Sequence, residues 1–281
     1  MKTSRMQLLV HLDASPRAEQ RLKVARQLGK RLGAAVSALY AATPNLVELP
    51  FTPELGPGVA ATLRDLDDQR RVRARAMFDS SLASTGLPVS WAEACDFPVM
   101  GAFAQQALYA DLLVLGQYDP SDVECVDVPF DFAETVMAIS GKPALILPYA
   151  GVPATLGETV VIAWKPTRET ARAVAAAMPL LQAARRVHVI SWTEEDQDVL
   201  ITGDGLSLSG YLKLQGIEAS WHPQGKKSGE LGELLLSRAF DLDADLLVMG
   251  CYSHSRAREW LLGGTSRVVL QSMTLPVLMA H

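Results

Sequence analysis

Two nine-residue stretches decide the fold. "ADLLVLGQY", Ala110–Tyr118, and "ADLLVMGCY", Ala244–Tyr252, agree at seven of nine positions at an offset of 134 residues. Each is a continuous Leu/Val run ending on a glycine, the pattern of a strand buried on both faces that turns at its end. Pro143 in "KPALILP" and Pro276 in "LPVLMAH" keep nearly the same offset, 133 residues. At the front of each half, "QLLVHLDASPRAEQRLKVARQLGKRL" from Gln7 is matched in pattern by "TVVIAWKPTRETARAVAAAMPLLQAA" from Thr159. Both read as an apolar strand, a short Ser/Thr/Pro turn, then apolar residues at helical spacing. The chain is therefore two copies of one domain, residues 1–150 and 157–281. The boundary lies in "PYAGVPATLGET", Pro148–Thr159, where Gly and Pro interrupt both periodicities.

Within the first half the pattern predicts strand 6–12, helix 16–33, strand 34–41, helix 59–85, strand 88–94, helix 98–109, strand 111–116, helix 131–140 and strand 143–148. The second half repeats it and ends with strand 244–249, helix 255–272 and strand 275–280. Alternation of apolar strands with helices implies an α/β fold: two tandem doubly wound parallel sheets, Rossmann-like, covered by helices on both faces. With five strands ordered 3-2-1-4-5, the crevice that takes ligands opens between the first and fourth strands, at their carboxyl ends. The turns after Leu12, Leu115, Trp164 and Met249 are thus the places to look for function.

Composition narrows the chemistry. The 281 residues carry 26 Lys and Arg against 31 Asp and Glu, a net charge of −5, which argues against sequence-independent binding to nucleic acid or to an anionic membrane. The amino-terminal segment lacks the apolar core of a signal peptide, and no apolar run approaches the roughly 18 residues of a membrane span. A cytoplasmic protein is expected. Cys95, Cys125 and Cys251 are far apart, without Cys-x-x-Cys spacing, so neither a zinc site nor a disulfide framework is expected; Cys251 reads as an ordinary small residue at a strand end.

A strand ending in Asp followed by Ser and Pro ("VHLDASP"), a fourth strand "DLLVMG", a glycine loop entering a helix and a last strand "PVLM" resemble the universal stress protein family in its tandem two-domain form. The resemblance covers essentially the whole chain. It implies a regulatory or stress-response role rather than a catalytic one, and pairing of the two domains within one chain, around "PALILP" and "PVLMA", with a homodimer of the whole chain left open. Nucleotide-binding members of that family carry Gly-x2-Gly-x9-Gly-Ser/Thr after the fourth strand, where N–H groups and a hydroxyl take the phosphates. An Asp ending their first strand helps position the nucleoside.

In the second half this motif begins at Gly250, has Ser253 in place of the second glycine, and reaches Gly263 and Gly264, with hydroxyls at Thr265 and Ser266. His254 and Arg256 lie inside the loop, with Arg258 and Arg267 near it. Lys165 stands where the Asp would be, and a lysine cannot accept a hydrogen bond from a ribose hydroxyl. The candidate site is therefore Lys165, Gly250, Ser253, His254, Arg256, Gly263, Gly264, Thr265 and Ser266, taking ATP or another adenine nucleotide weakly or not at all, or a simpler anion through its phosphate contacts. Solvated helix residues and a loop kept only for its shape account for the same letters.

The first half departs in the complementary way. Asp13, Ser15 and Gly116 match the family's turns, but Asp119, Asp122, Glu124, Asp127, Asp131 and Glu134 follow where glycines and phosphates belong. Like charges there oppose a triphosphate; the stretch reads as a solvated acidic loop, without the spacing of a calcium loop. This degenerate site is expected to be empty, any ligand lying in the second half. No Gly-x-Ser-x-Gly elbow, P-loop or His-Glu-x-x-His is present, so no catalytic residue and no metal are assigned. His11 within a strand reads as a structural histidine. A non-nucleotide scaffold or sensor module, and a weak nucleotide phosphohydrolase using the Gly250 loop, are the alternative readings.

Overall fold

The computed structural model describes residues 6–45, 57–83, 86–94, 97–122, 127–192, 206–224, 230–251 and 264–281. The chain divides into two compact units, Met1–Tyr149 and Ala150–His281. The first contains β1 (Gln7–Leu12), α1 (Arg17–Leu32), β2 (Ala35–Tyr40), α2 (Pro57–Ala83), β3 (Val89–Glu93), α3 (Val99–Ala107), β4 (Leu112–Gly116), α4 (Phe132–Ser140) and β5 (Ala144–Leu147). The second contains β6 (Thr159–Trp164), α5 (Arg168–Gln182), β7 (Arg186–Trp192), α6 (Leu208–Leu214), β8 (Ala219–Gln224), α7 (Leu231–Asp241), β9 (Leu246–Gly250), α8 (Gly264–Ser272) and β10 (Val277–Ala280).

The strand order is β3-β2-β1-β4-β5 in the first unit and β8-β7-β6-β9-β10 in the second, with parallel pairing. Both are the 3-2-1-4-5 order expected from the alternation of elements. The central strands are largely apolar because they are covered on both faces: Leu8, Val10, Leu12, Leu113, Val114 and Leu115 are fully buried in one unit, and Val160, Val161, Ile162, Leu246, Leu247 and Val248 in the other. Helix α1 lays Ala18, Leu22, Ala25 and Leu28 on its sheet, a spacing that follows the 3.6-residue turn. It stops at Gly33, whose φ of 64° is left-handed and whose N–H caps Gly29 O.

The repeated motif has a structural reason at the end of the sheet opposite the ligand crevice. Asp111 Oδ2 accepts the N–H of Gln7 at 2.8 Å while its own N–H bonds Gln7 O. Its counterpart Asp245, 6% exposed, accepts from Glu158 N and Thr159 N at 3.1 and 3.0 Å, and its N–H bonds Thr159 O. The acid of each "ADLLV" stretch thus satisfies backbone donors at the start of the neighbouring strand. No helix among the described residues is long and apolar enough to cross a membrane.

Candidate functional site

The register aligns the crevices of the two units. Val10 faces Val114 across β1 and β4, and Ile162 faces Val248 across β6 and β9, so Asp13 and Lys165 stand at equivalent strand tips, opposite Gly116 and Gly250. Eight residues further along each following helix come Arg21 in the first unit and Ala173 in the second. That exchange sets the two sites apart.

In the first unit every acceptor position of Asp13 is directed inward. Its Oδ1 takes the N–H of Ser15 at 2.9 Å and the Ser15 hydroxyl at 2.5 Å, and its Oδ2 takes Arg21 Nη2 at 2.5 Å. Arg21 also donates from Nε to His11 O at 3.0 Å. Asp13, Ser15 and Arg21 are all buried. Burial alone would raise the Asp13 pKa; the Arg21 guanidinium and the Ser15 donors outweigh it and hold the carboxyl below the usual range. A Cβ placed on Gly116 would lie 2.7 Å from Arg21 Nη1, so the glycine at this strand tip makes room for the guanidinium.

His11, one layer below, is stacked on Phe132 with ring centroids 4.3 Å apart and meets Phe103 edge-on at 5.5 Å. Its Nε2 donates to Ala41 O at 2.8 Å, which assigns the proton to that nitrogen because a carbonyl only accepts. Burial, the dominant cause, lowers its pKa to about 4. His11 is therefore neutral at physiological pH, the structural histidine expected.

The acidic stretch departs from its sequence reading. It is expected to be a solvated loop, yet Asp119 is 8% exposed and Asp127 1%. Asp119 Oδ1 accepts from Ser121 N and Oγ at 3.0 and 2.6 Å, and Arg17 lies 3.6 Å from Oδ2; the Ser121 hydroxyl contributes most to holding this carboxyl below its ordinary pKa. Asp127 O accepts the N–H of Thr43, just beyond β2, at 2.7 Å. Asp127 thus lies beside the tip of β2. Val128, Pro129, Phe130, Phe132, Ala133 and Glu134 line what remains, a cavity of about 40 Å³, room for a few water molecules. Burial raises the pKa of Glu134 in its wall. Glu124 lies outside the described residues.

In the second unit the tip is built differently. Lys165 O accepts the N–H of Thr167, and Thr167 caps α5 by accepting from Thr170 N at 3.3 Å. Ala173, fully buried, takes the place of Arg21, so the equivalent position of α5 supplies no guanidinium. The helix start itself closes on Gly250 instead: a Cβ there would lie 2.5 Å from Thr170 N and 2.8 Å from Glu169 C. Gly250 is thus required by close backbone approach. Glu169 is buried with Arg168 Nε 2.5 Å from Oε1; burial would raise its pKa, and Arg168, its own backbone N–H and the Thr167 hydroxyl outweigh it and lower it.

Gly264, Thr265 and Ser266 form the first turn of α8, with Gly264 and Arg267 exposed and Ser266 buried. Ser253, His254, Arg256, Arg258 and Gly263 lie outside the described residues. Cys251 is buried, its N–H and Sγ both directed to Ala280 O. Among the described residues no three His, Cys, Asp or Glu side chains are grouped to hold a metal. His188 and His222, for which sequence identifies no partner, meet on β7 and β8 with Nδ1 and Nε2 3.1 Å apart.

Sequence reasoning missed Arg21, although the signal was present: it falls on the apolar stripe of α1 between Ala18 and Ala25, where a charge needs a buried partner. The partner, Asp13, is eight residues away and is brought beside it only by the turn at Ser15.

No curated protein matches the chain. A model of the universal stress protein family matches residues 158–281. Among solved structures, a universal stress protein from Archaeoglobus fulgidus covers 97% of this chain and 94% of its own length, with a TM-score of 0.69 and 15% identity. A protein of unknown function from Pseudomonas aeruginosa covers 98% and 92%, with a TM-score of 0.58 and 18% identity. These two likenesses extend the fold over both units. Residues 158–281 thus match the universal stress protein family, and the first half repeats the same fold.

Proposed function

We propose that the protein is a cytoplasmic, non-catalytic universal stress protein with a regulatory role, whose second unit binds a small phosphate-bearing anion, adenine nucleotides included, weakly. The observation that carries this reading is the exchange at the strand tips. Asp13 and Arg21 close one crevice on themselves, while at the other strand tip Lys165 stands in the acid's place and Ala173 in the arginine's. A lysine at that tip meets phosphate oxygens as a point charge and offers nothing to a ribose hydroxyl. Thr265 and Ser266 add first-turn N–H groups, which with the helix dipole favour an anion. A site made of such contacts discriminates poorly among nucleosides and weakens with salt.

A second reading has its own observation. Gly250 is explained by its contact with the start of α5, so the glycine loop also fits a scaffold that binds nothing. Calorimetry with ATP separates the readings. The unaltered protein is expected to bind weakly and in a salt-dependent way, without releasing phosphate, and Lys165→Asp with Ser253→Gly is expected to tighten binding. Tight, adenine-selective binding by the unaltered protein would overturn the role given to Lys165. Binding by neither protein would favour the scaffold.

A further inference from the structure

We propose that the crevice of the first unit is a guanidinium site whose permanent occupant is the chain's own Arg21: a built-in ligand that sets this unit in one state and makes it unresponsive to small molecules. The inference stands whether or not the second unit binds an anion.

Three independent features describe a site rather than an incidental ion pair. First, the guanidinium is recognised from two directions. Asp13 Oδ2 accepts from Nη2 and the carbonyl of His11 accepts from Nε, a fork that the single point charge of an ammonium cannot reproduce. Secondly, the surroundings are shaped to it. Gly116 leaves the space that a Cβ would deny to Nη1, and Ser15 holds the other oxygen of Asp13 with two donors, fixing the carboxylate before the guanidinium arrives. Thirdly, the location is the crevice between the first and fourth strands, where a doubly wound sheet takes its ligand.

The equivalent position in the second unit shows that the arrangement is not required by the fold. Ala173 replaces Arg21 and Lys165 replaces Asp13, so acid and base are lost together, and α5 packs on β9 without them. Asp127 O accepts from Thr43 N at the tip of β2. The ion pair and the filling of the space beside Gly116 act in the same direction.

Chemical rescue tests the site on the full chain. Arg21→Ala removes the guanidinium and leaves Asp13 buried without it, so the melting transition is expected to fall by roughly 10 °C. Free guanidinium at about 10 mM, well below denaturing concentrations, is expected to restore at least half of that loss. Equal concentrations of urea, sodium or ethylammonium should restore none. The unaltered protein, already occupied, should not be stabilised, and Arg21→Ala combined with Asp13→Asn should gain nothing from guanidinium. Arg21→Lys separates charge from shape: it should melt well below the unaltered protein.

Failure of guanidinium to stabilise Arg21→Ala, an equal effect on the unaltered chain, or full stability of Arg21→Lys would each overturn the proposal. If Arg21→Ala does not fold by itself, folding upon addition of guanidinium supports the site. A chain that stays unfolded even then overturns it.

Discussion

His11 carries the pH dependence that can be read most directly from a single side chain. Its folded pKa is lowered to about 4, by burial foremost, from an unfolded value of 6.5. The unfolded chain therefore binds the proton first. The stability conferred by a neutral His11 is present above pH 6.5 and is lost as pH falls from there toward 4, by an amount on the order of 3 kcal/mol. Asp13 does not act in this window, because its depressed pKa places its loss of stability below the ordinary carboxylate range. Denaturant melts at pH 7 and pH 5 should show a decline in the unaltered protein and a flatter profile in His11→Gln, which keeps a donor toward Ala41 O. Equal declines in both would remove His11 from the account. Gly250→Ala is the second test at this scale. Its Cβ meets backbone atoms of α5 that cannot rotate away, so destabilisation by about 1–3 kcal/mol is expected in urea titrations.

At the level of elements, the repeated "ADLLV" stretch is a joint between neighbouring strands. Asp245 takes two backbone N–H groups at the entry of β6, and Asp111 takes one at the entry of β1. Asp245→Ala leaves buried donors without their acceptor and is expected to lower stability by about 1–3 kcal/mol. Hydrogen exchange at Thr159 should accelerate more than at amides elsewhere in the sheet; an unchanged Thr159 amide would refute the joint. The helices that follow the two first strands start differently. Helix α5 is capped by Thr167, whereas no side chain caps α1, which begins after Pro16 and is anchored through Arg21. Thr167→Ala should cost about 1 kcal/mol, read as a shift of the denaturation midpoint at unchanged slope.

For the whole molecule, the two units carry one fold and different crevices. With ATP added to the full chain, hydrogen exchange followed by mass spectrometry should show protection confined to peptides containing Lys165, Gly250 and Gly264 to Ser266. Peptides containing Asp13, Ser15, Gly116 or Asp127 should be unchanged. Protection in the first unit would contradict its closure by Arg21. The built-in charge of that unit makes the asymmetry a property of sequence positions 13 and 21 against 165 and 173, not of the sheet, which has the same order in both.

The sequence by itself determined the duplication, the alternation of elements and, from these, the strand order. Those features reside in local periodicity and in spacing, which neighbouring residues set: a Leu/Val run closed by Gly116 or Gly250 is readable wherever it occurs. The sequence also showed that Lys165 had replaced an acid. It did not show that Arg21 had joined Asp13, that Gly250 leaves room for the start of α5, or that Asp119 and Asp127 are buried. Each of these depends on which residues distant along the chain share a few ångströms of space. A carboxylate in an acidic run looks solvated until the chain brings Ser121 and Arg17 to it, and an arginine on an apolar stripe has no assignable partner until a turn delivers one. Only the tertiary structure showed that Arg21 fills the space beside Gly116 in the first unit, because filling is a matter of volume and charge converging at one point.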